Sequence, residues 1–207
     1  MSDLNKVHLF RMTHIGNIPH IRQFGITHSS SANRNNNFIS IGDGSVISVR
    51  NSFLLPNGKL LGDYIPFYFG YKMPMLFVIQ KGFNGVKATP AKEIVYCVTS
   101  VAHIVKENIE FVFTDGHAVN GFSSFYHPNE VGKIDNIIDK AAIKIEYWND
   151  ENDLDLKRRK EAEFLVLKDI PPHAIAGYGV YNEEVKQDLI AMGIPENQIV
   201  VKPKFYF

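Results

Sequence analysis

The sequence predicts an α+β fold with mainly antiparallel strands, and three observations lead to this class. Predicted strands outnumber predicted helices along the 207 residues. They do not alternate with helices in the order that a doubly wound parallel sheet requires. No internal repeat marks a solenoid or a propeller. We expect a single domain over residues 1–207, because a chain of this length builds one sizeable core.

The first part of the chain predicts one strand, one helix and a long irregular segment. A short strand is expected over Val7–Arg11, followed by a helix with Thr13 as its N-cap and Gly25 as its end. Residues 29–37 (SSSANRNNN) lack the apolar side chains that a core needs, which is typical of a linker or of a mobile lid. Residues 38–63 mix short apolar runs with Gly, Asp and Asn, which favours an irregular excursion.

The rest of the chain predicts several more strands and two helices. Apolar, β-branched and aromatic runs favour strands at residues 92–100, 110–113, 162–167 and 198–201, and a further strand that ends with Val180 and Tyr181. Met75–Ile79 is either a strand or the buried end of a helix, and Ile134–Ala142 is expected to be helical. A further helix should run from Glu183 to Met192, with Asn182 as its N-cap and Gly193 as its end.

Composition and charge limit the kind of protein and the kind of ligand. Apolar residues make up 45% of the chain, and 22 basic residues balance 22 acidic ones. A protein that holds duplex DNA by its backbone is usually more basic, so a nucleic-acid site here should be a local groove. The single cysteine, Cys97, lies in an apolar run and is expected to be buried and inert. No signal peptide or long apolar segment is present, which predicts a cytoplasmic protein without membrane association.

The sequence lacks the motifs of several common cofactor and metal sites. No GxGxxG precedes a helix, and GDGSVISVR lacks the lysine and hydroxyl pair of a phosphate-binding loop. The histidines form no HExxH or HxH pattern, so we expect no metal site.

Three stretches are unusual when they occur together. They are the aromatic run DYIPFYFGYKMPM, the strand and polar turn FVFTDGHA, and RRKEAEFLV, which places Glu163 at the start of an apolar strand. Each alone is more often core, a simple turn or a solvated strand edge. With FRMTHIGNIPHI and NFISIGDG before them, however, they resemble in the same order the motifs of the DarT family, bacterial toxins that ADP-ribosylate DNA. The resemblance spans roughly Val7 to Phe207.

This resemblance implies a fold and an activity. The implied fold is ADP-ribosyltransferase-like, with two packed, mainly antiparallel β-sheets, peripheral helices and NAD in the cleft between the sheets. The implied reaction transfers ADP-ribose from NAD to a base of single-stranded DNA, with thymine favoured, and releases nicotinamide. Implied partners are NAD, single-stranded DNA and a separately encoded antitoxin with ADP-ribosyl-hydrolase activity; we expect a monomer.

The resemblance also implies site residues. Glu163 falls at the catalytic glutamate and Arg50 at a second essential position. The implied NAD-binding residues are Arg11, Thr13, His14, Asn17 and Tyr68, and the implied DNA-binding residues are Met75, Thr114 and His117. Two positions depart from the family pattern: Arg11 replaces a frequent histidine, and Glu161 a frequent glutamine.

The chemistry explains why one glutamate is enough. Cleavage of the nicotinamide bond passes through a cationic ribose, which a carboxylate bound to the 2-hydroxyl stabilises. Nicotinamide leaves as a neutral molecule and needs no proton donor. Arg50 either stabilises a developing anion on the base or binds the pyrophosphate. Lys72, Lys87 and Arg34 are candidate phosphate contacts or solvated surface residues.

Three alternative functions stay open at this point. One is the same chemistry directed at guanine in DNA or at RNA. The second alternative is a catalytically silent nucleic-acid-binding module. The third is a glycohydrolase that transfers ADP-ribose to water.

Overall fold

The computed structural model describes residues 2–207, and it contains both strands and short helices. The strands in that range are β1 (His8–His14), β2 (Tyr64–Tyr68), β3 (Ile94–Ser100), β4 (Phe111–Thr114), β5 (Phe125–Tyr126), β6 (Glu163–Leu167), β7 (Gly177–Val180) and β8 (Ile199–Val201). The α-helices are α1 (Ile18–Phe24), α2 (Gly44–Ser52), α3 (Pro74–Lys81), α4 (Val101–Lys106), α5 (Ile134–Ile137), α6 (Lys140–Lys144), α7 (Leu156–Lys160) and α8 (Glu183–Ala191).

The strands form one sheet in the order β5-β4-β6-β2-β1-β3-β7-β8. Neighbouring strands are antiparallel except β7 and β8, which confirms the α+β class. Hydrogen bonds join the strands continuously, where two packed sheets were expected. The join between β1 and β2 nevertheless has a single registered pair, Phe10 with Tyr68. We call this join the seam; it divides the sheet almost completely into two four-stranded halves.

The sheet buries one face more extensively than the other. The largest apolar cluster includes Leu9 of β1 and Phe164 of β6, and covers one face with residues from α1, α4, α5 and α8. Two smaller clusters lie on the opposite face, one containing Leu165 and Leu167 and the other Tyr96. Because side chains alternate along a strand, Glu163 projects toward the same face as Leu165 and Leu167.

The helix after β1 begins differently from the prediction. Thr13 still belongs to β1, and the ring Nδ1 of His14 accepts the N–H of Gly16 to begin a 3-10 turn before α1. The predicted end at Gly25 is confirmed, since Gly25 has φ +80° and its N–H bonds the carbonyl of Ile21. A β-carbon at Gly25 would also collide with the carbonyl of Ile170.

Helix α2 lies in the segment that was expected to be irregular. It begins at Asp43, whose carboxylate accepts the N–H groups of Ser45 and Val46. Its sequence is largely polar, so apolar periodicity does not reveal it. This correction matters because α2 carries Arg50.

The helix predicted over Ile134–Ala142 is interrupted. Ile138 adopts an extended conformation between α5 and α6, and Asp139 caps α6 by accepting the N–H groups of Ala141 and Ala142. Met75–Ile79 lies within α3, so the helical alternative is confirmed there. Strands β2 and β5 and helices α4 and α7 were not predicted.

Most other element predictions are confirmed within two residues at each end. Strands β3, β4, β6 and β8 lie where expected, whereas β1 continues three residues further and Tyr181 lies just beyond β7. Asn182 caps α8 by accepting the N–H of Val185, and Cys97 is buried in the main core. Within residues 2–207, no helix has the length and apolar character needed to cross a membrane.

Candidate active site

Glu163 is the first residue of β6, and both of its carboxylate oxygens have partners. Oε2 accepts a hydrogen bond from Nη1 of Arg50 at 2.7 Å, and Oε1 accepts the N–H of Ala118 at 2.9 Å. Only 1% of its surface is exposed. The Oγ1 of Thr114 accepts the N–H of Glu163 at 3.0 Å, which fixes the backbone where the strand begins. The carboxylate is therefore fixed in place before any ligand binds.

Arg50 connects this arrangement to the cleft, since it contacts Glu163 and lines the cleft wall. It lies in the last turn of α2, and burial leaves it 9% exposed. Its Nη1 is committed to Glu163, whereas Nη2 is buried and has no hydrogen-bond partner within residues 2–207. An unpaired buried donor is costly, so this N–H group is poised for an acceptor from a ligand.

The loop of residues 115–124, which we call the acceptor loop, lies beside Glu163. The ring Nε2 of His117 is 3.9 Å from Oε1 of Glu163. Burial lowers the pKa of His117 more strongly than the nearby carboxylate raises it, so the imidazole is neutral at pH 7. Arg158 anchors the loop through Asp115 at 3.0 Å and Ser123 at 3.3 Å.

The structure places Thr114 differently from the other predicted DNA-binding residues. It is fully buried, and its hydroxyl donates to the carbonyl of Gly116 and accepts from the N–H of Glu163. Its side chain therefore supports the glutamate instead of reaching a ligand. Met75 and His117, in contrast, both line the cleft.

A cleft of about 690 Å³ lies beside Arg50 and His117, which line it, whereas Glu163 is buried behind them. The cleft opens along the seam, where β1 and β2 separate. Seven of the predicted site residues line it, namely Arg11, Thr13, Asn17, Arg50, Tyr68, Met75 and His117. His14 lies instead in an adjoining cavity, with its Nε2 3.3 Å from Glu93.

Two polar side chains hold the cleft wall together. Nη1 of Arg11 donates to the carbonyl of Pro66 at 3.0 Å, so a side chain bridges the seam where the strands share little backbone pairing. Burial lowers the pKa of Arg11 to about 10, which leaves it charged at neutral pH. The amide of Asn17 donates to Thr13 and to Ile39 and accepts from the Ile39 N–H, which ties β1 to the segment before α2.

Tyr68 and Glu161 are affected by burial close to Glu163. Tyr68 pairs with Glu163 across β2 and β6, and burial, reinforced by that negative charge, raises the pKa of its phenol. Burial raises the pKa of Glu161 to about 7, with a further contribution from Glu163. The sequence analysis noted Glu161 only as a departure from the family pattern. Its position two residues before Glu163 was the signal that could have indicated a raised pKa.

The candidate phosphate contacts lie in three different places. Arg34 is exposed at the cleft mouth, and Lys87 lies in the cavity that contains His14. Lys72 lies outside the cleft, paired with Glu146. In the described part of the chain, no three His, Cys, Asp or Glu side chains are grouped as metal ligands.

Taken together, the size of the cleft and the residues in and behind its wall define a class of enzyme. The cleft volume lies in the range of about 300–1,000 Å³ that is usual for small-molecule and cofactor sites. The fixed carboxylate of Glu163 lies directly behind Arg50 and close to His117, which both line the cleft. A carboxylate beside a guanidinium and a neutral imidazole suits glycosyl transfer from a donor with a neutral leaving group.

Comparison with known proteins identifies the family. The family model described as "DarT: ssDNA thymidine ADP-ribosyltransferase" matches residues 10–207. A DNA ADP-ribosyl transferase of Escherichia coli O127:H6 is 33% identical over 187 residues, covering 89% of this chain and 84% of that protein. A transferase–glycohydrolase fusion protein of Thermosipho africanus is 28% identical over 201 residues, covering 96% of this chain and 49% of the fusion. The chain therefore belongs to the DarT family.

Solved structures agree with this assignment. Thermus sp. 2.9 DarT in complex with ADP-ribosylated ssDNA has a TM-score of 0.81 and 27% identity, covering 97% of this chain and 96% of that chain. The same protein in complex with NAD⁺ has a TM-score of 0.77 and 26% identity, covering 97% and 98%. This chain is accordingly an NAD-dependent DNA ADP-ribosyltransferase, with NAD as its co-substrate.

Proposed function

We propose that this chain transfers ADP-ribose from NAD to a thymine base of single-stranded DNA and acts as a toxin. The observation that supports this most directly is the buried Glu163, held by Arg50 and by the Ala118 N–H next to a cleft of about 690 Å³ that Arg50 lines. The family description and the nucleic acid bound in the Thermus structure support the acceptor.

Glu163 stabilises the ribose as the nicotinamide bond breaks. Each carboxylate oxygen has a second lone pair beyond the one used by Arg50 or Ala118, so the group can still accept the ribose 2-hydroxyl. Its negative charge then opposes the positive charge that develops on the ribose. Nicotinamide departs with the bonding electron pair and needs no proton.

Arg50 and His117 act on the acceptor side of the same carbon. The Arg50 guanidinium contacts Glu163, which places it near the reacting ribose carbon and favours stabilisation of the acceptor base over binding of the pyrophosphate. Its unpaired Nη2 donates to a carbonyl of the base as the imide becomes negative. The neutral His117 accepts the imide proton while the new bond from carbon to nitrogen forms.

The biological setting belongs to the same proposal. One chain brings Arg50, His117 and Glu163 together, so a monomer suffices for catalysis. We propose that this monomer acts in the bacterial cytoplasm. The Thermosipho relative joins a transferase to a DNA ADP-ribosyl glycohydrolase, which supports a glycohydrolase antitoxin as the partner. We propose that this antitoxin is separately encoded.

The test is incubation with NAD and a panel of oligonucleotides, read by mass shift and fragment mapping. The panel contains single-stranded DNA with thymine or guanine as the variable base, the same sequences as duplexes, and RNA. We expect one ADP-ribose on thymine of the single strand, because a duplex base must first be unpaired and unstacked. Modification restricted to guanine or to RNA would contradict the proposed acceptor.

Two controls separate the remaining alternatives. Nicotinamide release at full rate without any oligonucleotide would identify a glycohydrolase instead. No nicotinamide release with or without DNA would identify a silent binding module.

A further inference from the structure

A second cavity lies at the other end of the seam. It has a volume of about 590 Å³ and is lined by Phe69–Lys72, which directly follow Tyr68 of the active-site cleft. His8 and Phe10 of β1 form the facing wall. Because Phe10 is paired with Tyr68, this one pair separates the second cavity from the cleft. Two residues span at most about 7 Å, so the two cavities are near neighbours.

Positive charge is concentrated in this second cavity, although the whole chain is neutral. Five lysines line it, and three carboxylates face them: Lys6, Lys72, Lys140, Lys144 and Lys160, with Asp3, Asp135 and Glu146. Each carboxylate pairs with one lysine, in the pairs Asp3–Lys6, Asp135–Lys140 and Glu146–Lys72. Within residues 2–207, no carboxylate lies within 4.0 Å of Lys144 or Lys160. An excess of two positive charges therefore faces the cavity.

Lys160 is the most unusual of these lysines because it is 1% exposed. Its Nζ donates to the carbonyls of Ile143 at 3.1 Å and Ile145 at 2.5 Å. These bonds secure the end of α6 and use two of the three N–H donors of the ammonium group. Burial lowers the pKa of Lys160 to about 8 although the charges of Glu161 and Glu146 oppose this effect, and no carboxylate of the described residues is bonded to it. An anion that entered the cavity and accepted the third N–H would therefore be stabilised.

Aromatic rings, of which Tyr147 and Phe207 are exposed and Trp148 is half-buried, lie near these lysines. Tyr147 follows the cavity-lining Glu146 and is 83% exposed. Trp148 packs edge-on against Phe207, with ring centroids 5.9 Å apart, and Lys72 Nζ lies 5.5 Å from the centre of the Phe207 ring. Flat rings that stack on bases, interleaved with cations that contact phosphates, are the usual means of holding a single strand without sequence preference.

We propose that this lysine-lined cavity and the rings beside it bind the stretch of single-stranded nucleic acid that flanks the acceptor base. Lys144 and Lys160 receive phosphates, and Tyr147 stacks on a base. The inference rests on the proposed function, since the bound strand is the acceptor. It explains how a neutral protein holds a polyanion: the excess charge is confined to one cavity next to the cleft.

The test compares two labelled oligonucleotides by fluorescence anisotropy on the full chain. One carries the acceptor base with a single neighbour on each side, and the other extends well beyond it in both directions. The variants are Lys144→Glu and Tyr147→Ala, whose exposed side chains carry no packing role. The matched control is Lys202→Glu, an exposed lysine beyond β8 at the far edge of the sheet.

We expect each variant to weaken binding of the long strand by roughly fivefold or more, as lost stacking or a lost phosphate contact requires. Lys144→Glu should also reduce the slope of log affinity against log salt by about 0.7. Binding and modification of the short strand should stay unchanged. A loss equal to that of Lys202→Glu, or an equal loss for both strands, overturns the proposal.

Further outcomes show which of the two proposals, the binding cavity or the proposed function, is wrong. Inorganic phosphate that competes as well as the long strand would mean a simple anion site and would overturn the proposal. If the wild-type chain modifies no single strand, the proposed function itself is wrong. If the wild type modifies DNA and the variants bind the long strand normally, only this inference is wrong.

Discussion

The two walls of the active-site cleft are built in opposite ways. The acceptor loop, residues 115–124, is held at many points along its length: Ala118 bonds Glu163, Ser123 bonds the His117 carbonyl, and Arg158 bonds Asp115. The facing wall includes residues 29–38, which we call the donor segment. The acceptor loop is thus part of a fixed catalytic frame.

The donor segment is held only at its two ends. The carboxylate of Asp169 accepts the His28 N–H and the Ser31 hydroxyl, and Asn17 binds Ile39 just beyond the segment. Between these anchors its hydrogen bonds stay within the segment, and the Phe38 ring is 52% exposed. Few buried contacts mean a low free energy of local opening. We infer from this contrast that the wall beside Glu163 stays rigid, and we propose that the donor segment moves when NAD binds.

The largest expected effect tests the rigid side. Glu163→Gln should reduce transfer roughly a hundredfold to a thousandfold, because the amide accepts a hydrogen bond but carries no charge against the cationic ribose. Single-turnover modification of the oligonucleotide measures this loss. The matched control is Glu161→Gln, two residues away, which should keep activity within a few-fold. Equal rates for wild type and Glu163→Gln, with both proteins folded, would contradict the role of the carboxylate.

The next effect concerns stability on the same side. Burial raises the pKa of Glu161 to about 7 from 4.5. From pH 4.5 to about 7 the unfolded chain loses this proton and the folded chain keeps it, so stability falls as the pH rises and the penalty is complete above about pH 7. At about 1.4 kcal/mol per pKa unit, Glu161→Gln should stabilise the fold by up to about 3 kcal/mol above pH 7.

Thermal melting across pH measures the Glu161 effect. The gain should shrink toward zero near the ordinary glutamate pKa, where both states hold the proton. A gain that is independent of pH would show that the substitution acts through packing and not through charge.

A smaller effect sharpens the contrast between the walls. Arg158→Ala removes the bonds to Asp115 and Ser123 and should lower kcat on the order of tenfold, because a loosened acceptor loop misplaces His117. The KM for NAD should change little. The matched control is Arg159→Ala, whose partners are Asp139, Asp153 and Asp155 and which does not contact the acceptor loop. Equal losses in both variants would mean a general effect on the fold.

The sequence predicted the strands that carry the site better than the helices that complete it. The apolar run after Glu163 is a strong strand signal, and the motif gave the position of the carboxylate. Arg50 was assigned through the family resemblance, but the helix that presents it was missed. That helix depends on the Asp43 cap and on tertiary packing, and its contact with Glu163 joins residues 113 positions apart.

Two further features needed three-dimensional information. Two sheets were expected. The single pair between Phe10 and Tyr68 joins the two halves into one sheet that is almost divided. Thr114 lies in a motif associated with DNA, yet its hydroxyl is used inside the protein. A motif marks which residues matter, whereas hydrogen-bond partners decide how they act.

Hydrogen exchange with and without NAD, measured over both walls at once, tests the central contrast most directly. We expect amides of the donor segment to exchange fast without NAD and to become protected when it binds, because the segment orders over the ligand. Amides of residues 115–124 should be protected equally in both states. An unchanged donor segment, or an acceptor loop that becomes protected only with NAD, would contradict a fixed catalytic frame beneath a closing NAD wall.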